Sequence, residues 1–333
     1  MCYDDIYSFY ALNIIICGSS GYIGSRLHFH LSKILTVEDK LICFGRDGFY
    51  LSDHIGLSKD KVQRITNSGQ KNILIYSVST QIPGLNSFSS FGSIYEEVST
   101  LQYILNNICE LVHLSYIYLI SSAGAFAYQQ SPRTPDFISE ETSLNISSSY
   151  ALTTKLKEDL FTQISVTYSV PMSILRLSNV FGPPFIKNRS QGLINKLISS
   201  SFLRKSVHIN VPLTLKKNVL FIDDFCTIFT KLLCLHLNGV AIPKQLLVCS
   251  SNDITISEII QTINTALDHI SKSRPLINYS IPVDNKYMDI HPTFDNTLLL
   301  TTLSDFSFTP FLSSIEKSIN EYLLQASNNR IEQ

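Results

Sequence analysis

An apolar run from Asn13 to Cys17 leads directly into three glycines at fixed spacing, Gly18-Ser-Ser-Gly21-Tyr-Ile-Gly24. Few folds place such a turn there, because glycine is needed only where the backbone must bend sharply or approach other atoms without a Cβ. Beyond the turn, Ile23, Leu27, Leu31 and Ile34 recur at spacings of three and four, the period of an amphipathic helix. A second apolar run, Leu41 to Phe44, then ends at Gly45. Strand, glycine turn, helix and strand make the opening βαβ unit of a doubly wound parallel sheet. In that setting the turn offers backbone N–H groups and a helix N-terminus to a pyrophosphate, so a dinucleotide is expected. A purely structural glycine turn is the alternative.

The end of the second strand bears on which dinucleotide binds. An acidic side chain there accepts from the ribose 2′-hydroxyl of NAD and repels the 2′-phosphate of NADP, whereas arginine pairs with that phosphate. This chain has Gly45-Arg46-Asp47. Arg46 favours NADP, Asp47 one position later keeps NAD possible, and a solvated loop arginine is the remaining reading.

The rest of the chain continues the alternation. Residues 73–78 and 116–120 read as strands buried on both faces, with a helix between them marked by Ile94, Val98, Leu101, Leu105 and Ile108. A helix over 150–168, a strand from Met172 to Leu177, a strand over 219–222 and a helix through Leu235 follow. The stretch from Arg46 to Ile73 is short, so a third strand is expected to be vestigial. From about residue 251 the texture changes: a helix opens at Ile254, a polar stretch runs from Arg274 to Pro292, and an amphipathic helix spans Ser313 to Leu324.

Composition narrows the function classes. With 44% hydrophobic residues in 333, the chain can bury a large core. A formal charge of −1 argues against a general nucleic-acid binder. Seven cysteines without a CxxC pair and eight dispersed histidines predict reduced thiols and no metal site. Asp4 and Asp5 stand where a signal peptide would be basic, and the most apolar stretch, Leu111 to Tyr128, is broken by His113, serines and glycine. A cytoplasmic protein without a membrane segment is expected.

Three further segments complete a pattern. Residues 119–127 read Leu-Ile-Ser-Ser-Ala-Gly-Ala-Phe-Ala; then comes Ser148-Ser-Tyr150-Ala-Leu-Thr-Thr-Lys155-Leu-Lys-Glu158-Asp159, then Ile174-Leu-Arg176-Leu-Ser-Asn179-Val-Phe-Gly182-Pro183. In this order, and with Phe306 to Pro310 near the end, they resemble the extended short-chain dehydrogenase/reductase superfamily. More narrowly they resemble the NAD-dependent epimerase/dehydratase family of nucleotide-sugar enzymes. The resemblance implies an α/β fold, a Rossmann-type doubly wound parallel sheet over 12–180 with a returning segment over 218–250. A smaller C-terminal α+β substrate-binding region would comprise 181–217 and 251–330. It implies cofactor contacts from Gly18, Ser20, Gly21, Tyr22, Ile23, Gly24, Arg46, Ser77, Ser79, Tyr150 and Lys155. It also implies substrate contacts from Ser122, Asn179 and Lys217, and a homodimer paired through the helices over 90–110 and 150–168. Ser122, Tyr150 and Lys155 would carry the chemistry. A tyrosine near its reference pKa of about 10 is a poor base at neutral pH, and a nearby ammonium favours its phenolate.

The chain departs from this pattern at three places. The residue four after Tyr150 is Thr154, and the lysine stands at 155. Residues i and i+4 share a helix face, while i+5 is rotated away. A one-residue π-bulge, or a helix start displaced past Tyr150, would return Lys155 to the site; otherwise the lysine is lost from it. Glu96 stands where the family often has Asn, and Lys217 where it has Arg, a point charge in place of a bidentate fork. Arg176 is either a ligand contact or half of a buried salt bridge. Three functional readings stay open: an epimerase, dehydratase or 4-keto reductase of a nucleotide sugar; a non-catalytic dinucleotide-binding module; and a reductase of a non-sugar carbonyl.

Overall fold

The computed structural model describes residues 11–45, 48–51, 56–67, 69–79, 91–109, 112–124, 137–142, 146, 148–185, 192–251, 253–280 and 293–331. Its main sheet has eight strands. They are β1 (Leu12–Cys17), β2 (Lys40–Gly45), β3 (Gly48–Leu51), β4 (Gly56–Leu57), β5 (Lys71–Tyr76), β6 (Tyr116–Ser122), β7 (Met172–Leu177) and β8 (Gln245–Val248). The spatial order is β8-β7-β6-β5-β1-β2-β3-β4. β7, β6, β5, β1 and β2 run parallel, with β1 between β5 and β2. The order reverses at β1, so the crevice beyond the carboxyl ends of β1 and β5 is where an open α/β sheet binds its ligand. This is the doubly wound α/β fold expected from the sequence.

The apolar runs are strands because they are buried on both faces: every residue of β1 and of β7 is buried. On one face, Ile15, Cys17, Ile42, Phe44, Leu74 and Tyr76 pack against α2 (Lys59–Thr66), α3 (Phe91–Cys109) and α4 (Ser149–Thr167) through Val62, Leu101, Ile104, Ile108 and Phe161. Leu27 and Leu31 of α1 (Tyr22–Leu31) are fully buried, as the helical spacing required. Each such side chain contributes about 1.5–3 kcal/mol by leaving water.

The region expected to hold a vestigial third strand is built differently. After β2 the chain returns antiparallel as β3, pairing Cys43 with Tyr50 and Phe44 with Phe49, and β4 adds a further antiparallel pair. The ring of Phe49 lies 4.5 Å from that of Phe44, an aromatic cross-strand pair that holds β3 on β2.

The chain divides into two compact units. The first comprises Met1–Gln129, Thr142–Leu177 and Ile228–Leu246; the second comprises Gln130–Glu141, Ser178–Thr227 and Leu247–Gln333. Within the second, the strand Lys216–Phe221 pairs parallel with Asn179–Phe181 and antiparallel with Asp253–Thr255. Ser206–Ile209 pairs parallel with Leu276–Tyr279. The helices here are α5 (Leu193–Leu203), α6 (Ile222–Leu237), which continues into the first unit, α7 (Ile256–His269) and α8 (Phe311–Ile331). The helix expected to open at Ile254 begins at Ile256, because Asp253–Thr255 is drawn into the strand pairing and Thr255 caps the helix instead. Asp224, at the start of α6, accepts from Thr309 N at 3.0 Å and Thr309 Oγ1 at 2.6 Å, which fastens the Phe306 to Pro310 segment. Burial still pushes the Asp224 carboxyl above its ordinary value, against those hydrogen bonds.

Candidate cofactor and catalytic site

The glycine turn closes on itself at the carboxyl end of β1. Gly21 N donates to Gly18 O at 2.9 Å, and Gly18 has φ +87°, where a side chain is strained. A Cβ on Gly24 would stand 2.1 Å from Gly18 O and 2.7 Å from Ser77 Oγ. Ser77, just past β5, donates through Oγ to Cys17 O at 2.9 Å and so locks the next strand end to the turn. Gly21 caps α1 with no side-chain hydrogen bond to the first turn. A backbone cradle with a helix N-terminus behind it is the arrangement a pyrophosphate requires. The residues present therefore fit a dinucleotide. Ser20 is exposed, Ile23 half-buried and Tyr22 buried. Ser79 lies in the same coil past β5 as Ser77. Arg46, on which the choice between NAD and NADP turned, lies outside the described residues.

Tyr150 stands in the first turn of α4. Ser148 caps that helix, its side chain accepting from Ala151 N at 3.1 Å. Every residue from 149 to 167 is α-helical. The bulge that would have brought Lys155 round is therefore absent, and the helix start is not displaced past Tyr150. Lys155 is instead 38% exposed and pairs with Asp159 one turn on. Thr154 occupies the buried position and returns its hydroxyl to Tyr150 O at 2.8 Å. The correction has a simple geometric reason: on a regular helix, five residues carry a side chain about 140° away from Tyr150.

A different lysine is inside. Lys157 is 7% exposed; its ammonium lies 2.8 Å from Glu97 Oε1 and donates to Val78 O at 3.3 Å, just past the end of β5. Glu97 of α3 is 2% exposed, while Glu96, singled out from the sequence, faces solvent. Sequence reading missed this pair. The signal was available, since Tyr150, Thr153, Thr154 and Lys157 fall at i, i+3, i+4 and i+7.

Ser122 ends β6, and its Oγ accepts from Gly124 N at 3.1 Å. Its neighbour Ser121 points the other way, as strand alternation demands, and donates to Glu158 Oε1 at 2.6 Å. Arg176 of β7 completes that cluster: Nε reaches Glu158 Oε1 at 2.9 Å and Nη2 reaches Oε2 at 2.6 Å. The structure thus gives Arg176 to a buried, bidentate ion pair that ties β7 to α4. Burial pushes the phenols of Tyr76, Tyr116 and Tyr118 above their ordinary value.

The substrate-side candidates lie in the second unit. Asn179 is exposed at the start of its strand and donates to Asn218 O at 2.8 Å. Lys217 is half-buried and pairs in register with Ile254. Gly182 follows, with φ +108°, and exchanges two hydrogen bonds with the Asn195 side chain. Cys17, Cys43, Cys226, Cys234 and Cys249 are free thiols. Among the described residues, no cluster of His, Cys, Asp or Glu could hold a metal ion, and no helix is long and apolar enough to cross a membrane.

A glycine cradle at the switch point of a doubly wound sheet, with a tyrosine opening the helix behind β6, defines a dinucleotide-binding protein of the extended short-chain dehydrogenase/reductase class. Residues 14–241 match the model of the NAD-dependent epimerase/dehydratase family, and the chain belongs to that family. No curated protein sequence matches it. Solved structures share the fold at low identity. An epimerase from Methanothermobacter thermautotrophicus is similar with a TM-score of 0.74 at 14% identity, over 98% of this chain and 97% of that one. The UDP-glucose 4-epimerase of Thermotoga maritima, solved with UDP-glucose, gives 0.71 at 13% identity, over 94% and 99%. The UDP-glucuronic acid 4-epimerase of Bacillus cereus, solved with UDP-glucuronic acid and NAD, gives 0.66 at 15%, over 93% and 98%.

Proposed function

We propose that the chain is a nicotinamide-dependent enzyme acting on a nucleotide sugar, as an epimerase, dehydratase or 4-keto reductase. The observation that carries this reading is the close-packed glycine cradle at the carboxyl end of β1, where a Cβ on Gly24 would meet Gly18 O at 2.1 Å. Family membership supports it, as do the UDP-sugars and NAD held by proteins of the same fold. When bound, the dinucleotide supplies hydride transfer to and from a sugar carbon. Gly18, Ser20, Gly21, Tyr22, Ile23 and Gly24 hold its pyrophosphate, with Ser77 and Ser79 alongside. Tyr150 takes a proton from the reacting sugar hydroxyl or returns it, and Ser122 orients the same oxygen. Asn179 and Lys217 meet the substrate diphosphate. Lys155, paired with Asp159, does not supply the charge that would ease ionisation of Tyr150.

Arg46 tilts the cofactor choice towards NADP, and Arg46→Asp shifts the ratio of the two dissociation constants towards NAD. A cytoplasmic homodimer paired through α3 and α4 completes the proposal. The test is incubation of UDP-glucose, UDP-glucuronic acid and UDP-N-acetylglucosamine with the protein and either dinucleotide, products being separated by chromatography. Turnover that falls by about 100-fold or more in Tyr150→Phe is expected. One observation favours a second reading, a non-catalytic dinucleotide-binding module: Thr154 stands buried where a lysine would aid Tyr150. A parent protein that binds dinucleotide and turns over none of these sugars, nor their 4-keto derivatives, supports that reading instead.

A further inference from the structure

The turn that grips the phosphates is itself held by a residue from the sheet edge. Because β2 folds back as β3, Tyr50 stands opposite Cys43, and opposed residues of an antiparallel pair project to the same face. The Tyr50 hydroxyl lies 2.7 Å from Ser19 Oγ, and Ser19 is the second residue of the glycine turn. The Tyr50 ring lies over Gly45, the last residue of β2, at contact distance: a Cβ there would stand 3.4 Å from Cε1 and 3.6 Å from Oη. In a doubly wound sheet the adenosine ribose docks beyond the end of β2, and the pyrophosphate docks on the turn after β1. Tyr50 joins those two places.

We infer that Tyr50 is a positioning residue for the adenosine half of the dinucleotide, setting the phosphate-binding turn through Ser19 and walling the end of β2 with its ring. The inference rests on the dinucleotide-binding reading above. A phenol carries no charge that distinguishes a 2′-hydroxyl from a 2′-phosphate, so Tyr50 serves NAD and NADP alike. Arg46, in contrast, would alter their ratio.

The experiment is calorimetric titration of NADH, NADPH and ADP-ribose into the parent protein, Tyr50→Phe, Ser19→Ala and the double variant. Loss of one hydrogen bond predicts that Tyr50→Phe raises the dissociation constant about three- to tenfold, by one common factor for all three ligands. Ser19→Ala removes the same bond from the other side and reproduces that factor, and the double variant is no worse than either single one. Should Tyr50→Phe fail to fold, as circular dichroism would reveal, Ser19→Ala carries the test alone. Unchanged dissociation constants overturn the inference, as does a change for NADH that ADP-ribose does not share, or strict additivity in the double variant. A parent protein that binds none of the three overturns the dinucleotide reading itself.

Discussion

Lys155 and Lys157 are two residues apart on α4 and meet opposite surroundings. Water screens the first pair, whose side chains are 38% and 60% exposed; the second is enclosed, at 9% and 3%. Exposed pairs contribute about 0–1 kcal/mol, whereas breaking a buried one strands a charge at a cost of about 3–5 kcal/mol. Lys155→Ala is therefore expected to leave urea stability and turnover close to the parent's. Lys157→Met should lower unfolding stability by several kcal/mol in the same denaturation measurement. Lys155 drew attention because it matches the lysine segment of the resembling family, and only a bulge in α4 could have brought it into phase with Tyr150. Residues whose role follows from local geometry, such as Gly18 and Gly24, were legible because the need for a missing Cβ shows in the residue type itself.

Elements read well where one period governs them. The stripe Ile23, Leu27, Leu31 and the mostly apolar runs of β1 and β7 required no knowledge of distant partners. β3 and β4 did, since four and two residues carry no period of their own and exist through pairing with β2. Asp253–Thr255 was missed for the same reason, although the start of α7 carries its own signal. Thr255 and Glu258 form a capping box: Thr255 Oγ1 accepts from Glu258 N at 3.1 Å, and Glu258 Oε2 accepts from Thr255 N at 2.8 Å and Oγ1 at 2.7 Å. The side-chain bond, then the backbone bond, from Thr255 holds the Glu258 carboxyl below its ordinary 4.5. A carboxyl lowered by folding stabilises the fold above its unfolded pKa, and that contribution is lost as pH falls through the lowered value. Thermal melts at about pH 6 and about pH 3 should thus show a larger drop for the parent than for Glu258→Gln, whose cap does not titrate. Equal drops would remove Glu258 from the acid response.

For the whole molecule, the proposed dimer must be built on the side of α3 that is not turned inward. Leu101 is 1% exposed and Leu105 packs against the core, so both belong to the first unit's interior. The outward side of α3 instead carries Tyr95, 75% exposed, and Tyr103, 48% exposed. If α3 pairs two copies, sedimentation at micromolar concentration gives a dimer, and Tyr95→Lys with Tyr103→Lys gives a monomer. A parent protein that sediments as a monomer ends the proposal. The antiparallel return after β2 bears on the same question from another side. A sheet edge is a row of unsatisfied donors and acceptors on which a stranger's strand can be templated. Among the described residues, the outermost strand on this side is Gly56–Leu57, about 7 Å of ladder at the usual rise per residue. So short a strip offers an incoming strand hardly more than one register position to hold. Runaway edge-to-edge stacking into fibres is thereby discouraged at this side of the sheet, and association there is left to side chains on helices, where charge and shape can discriminate one partner from another.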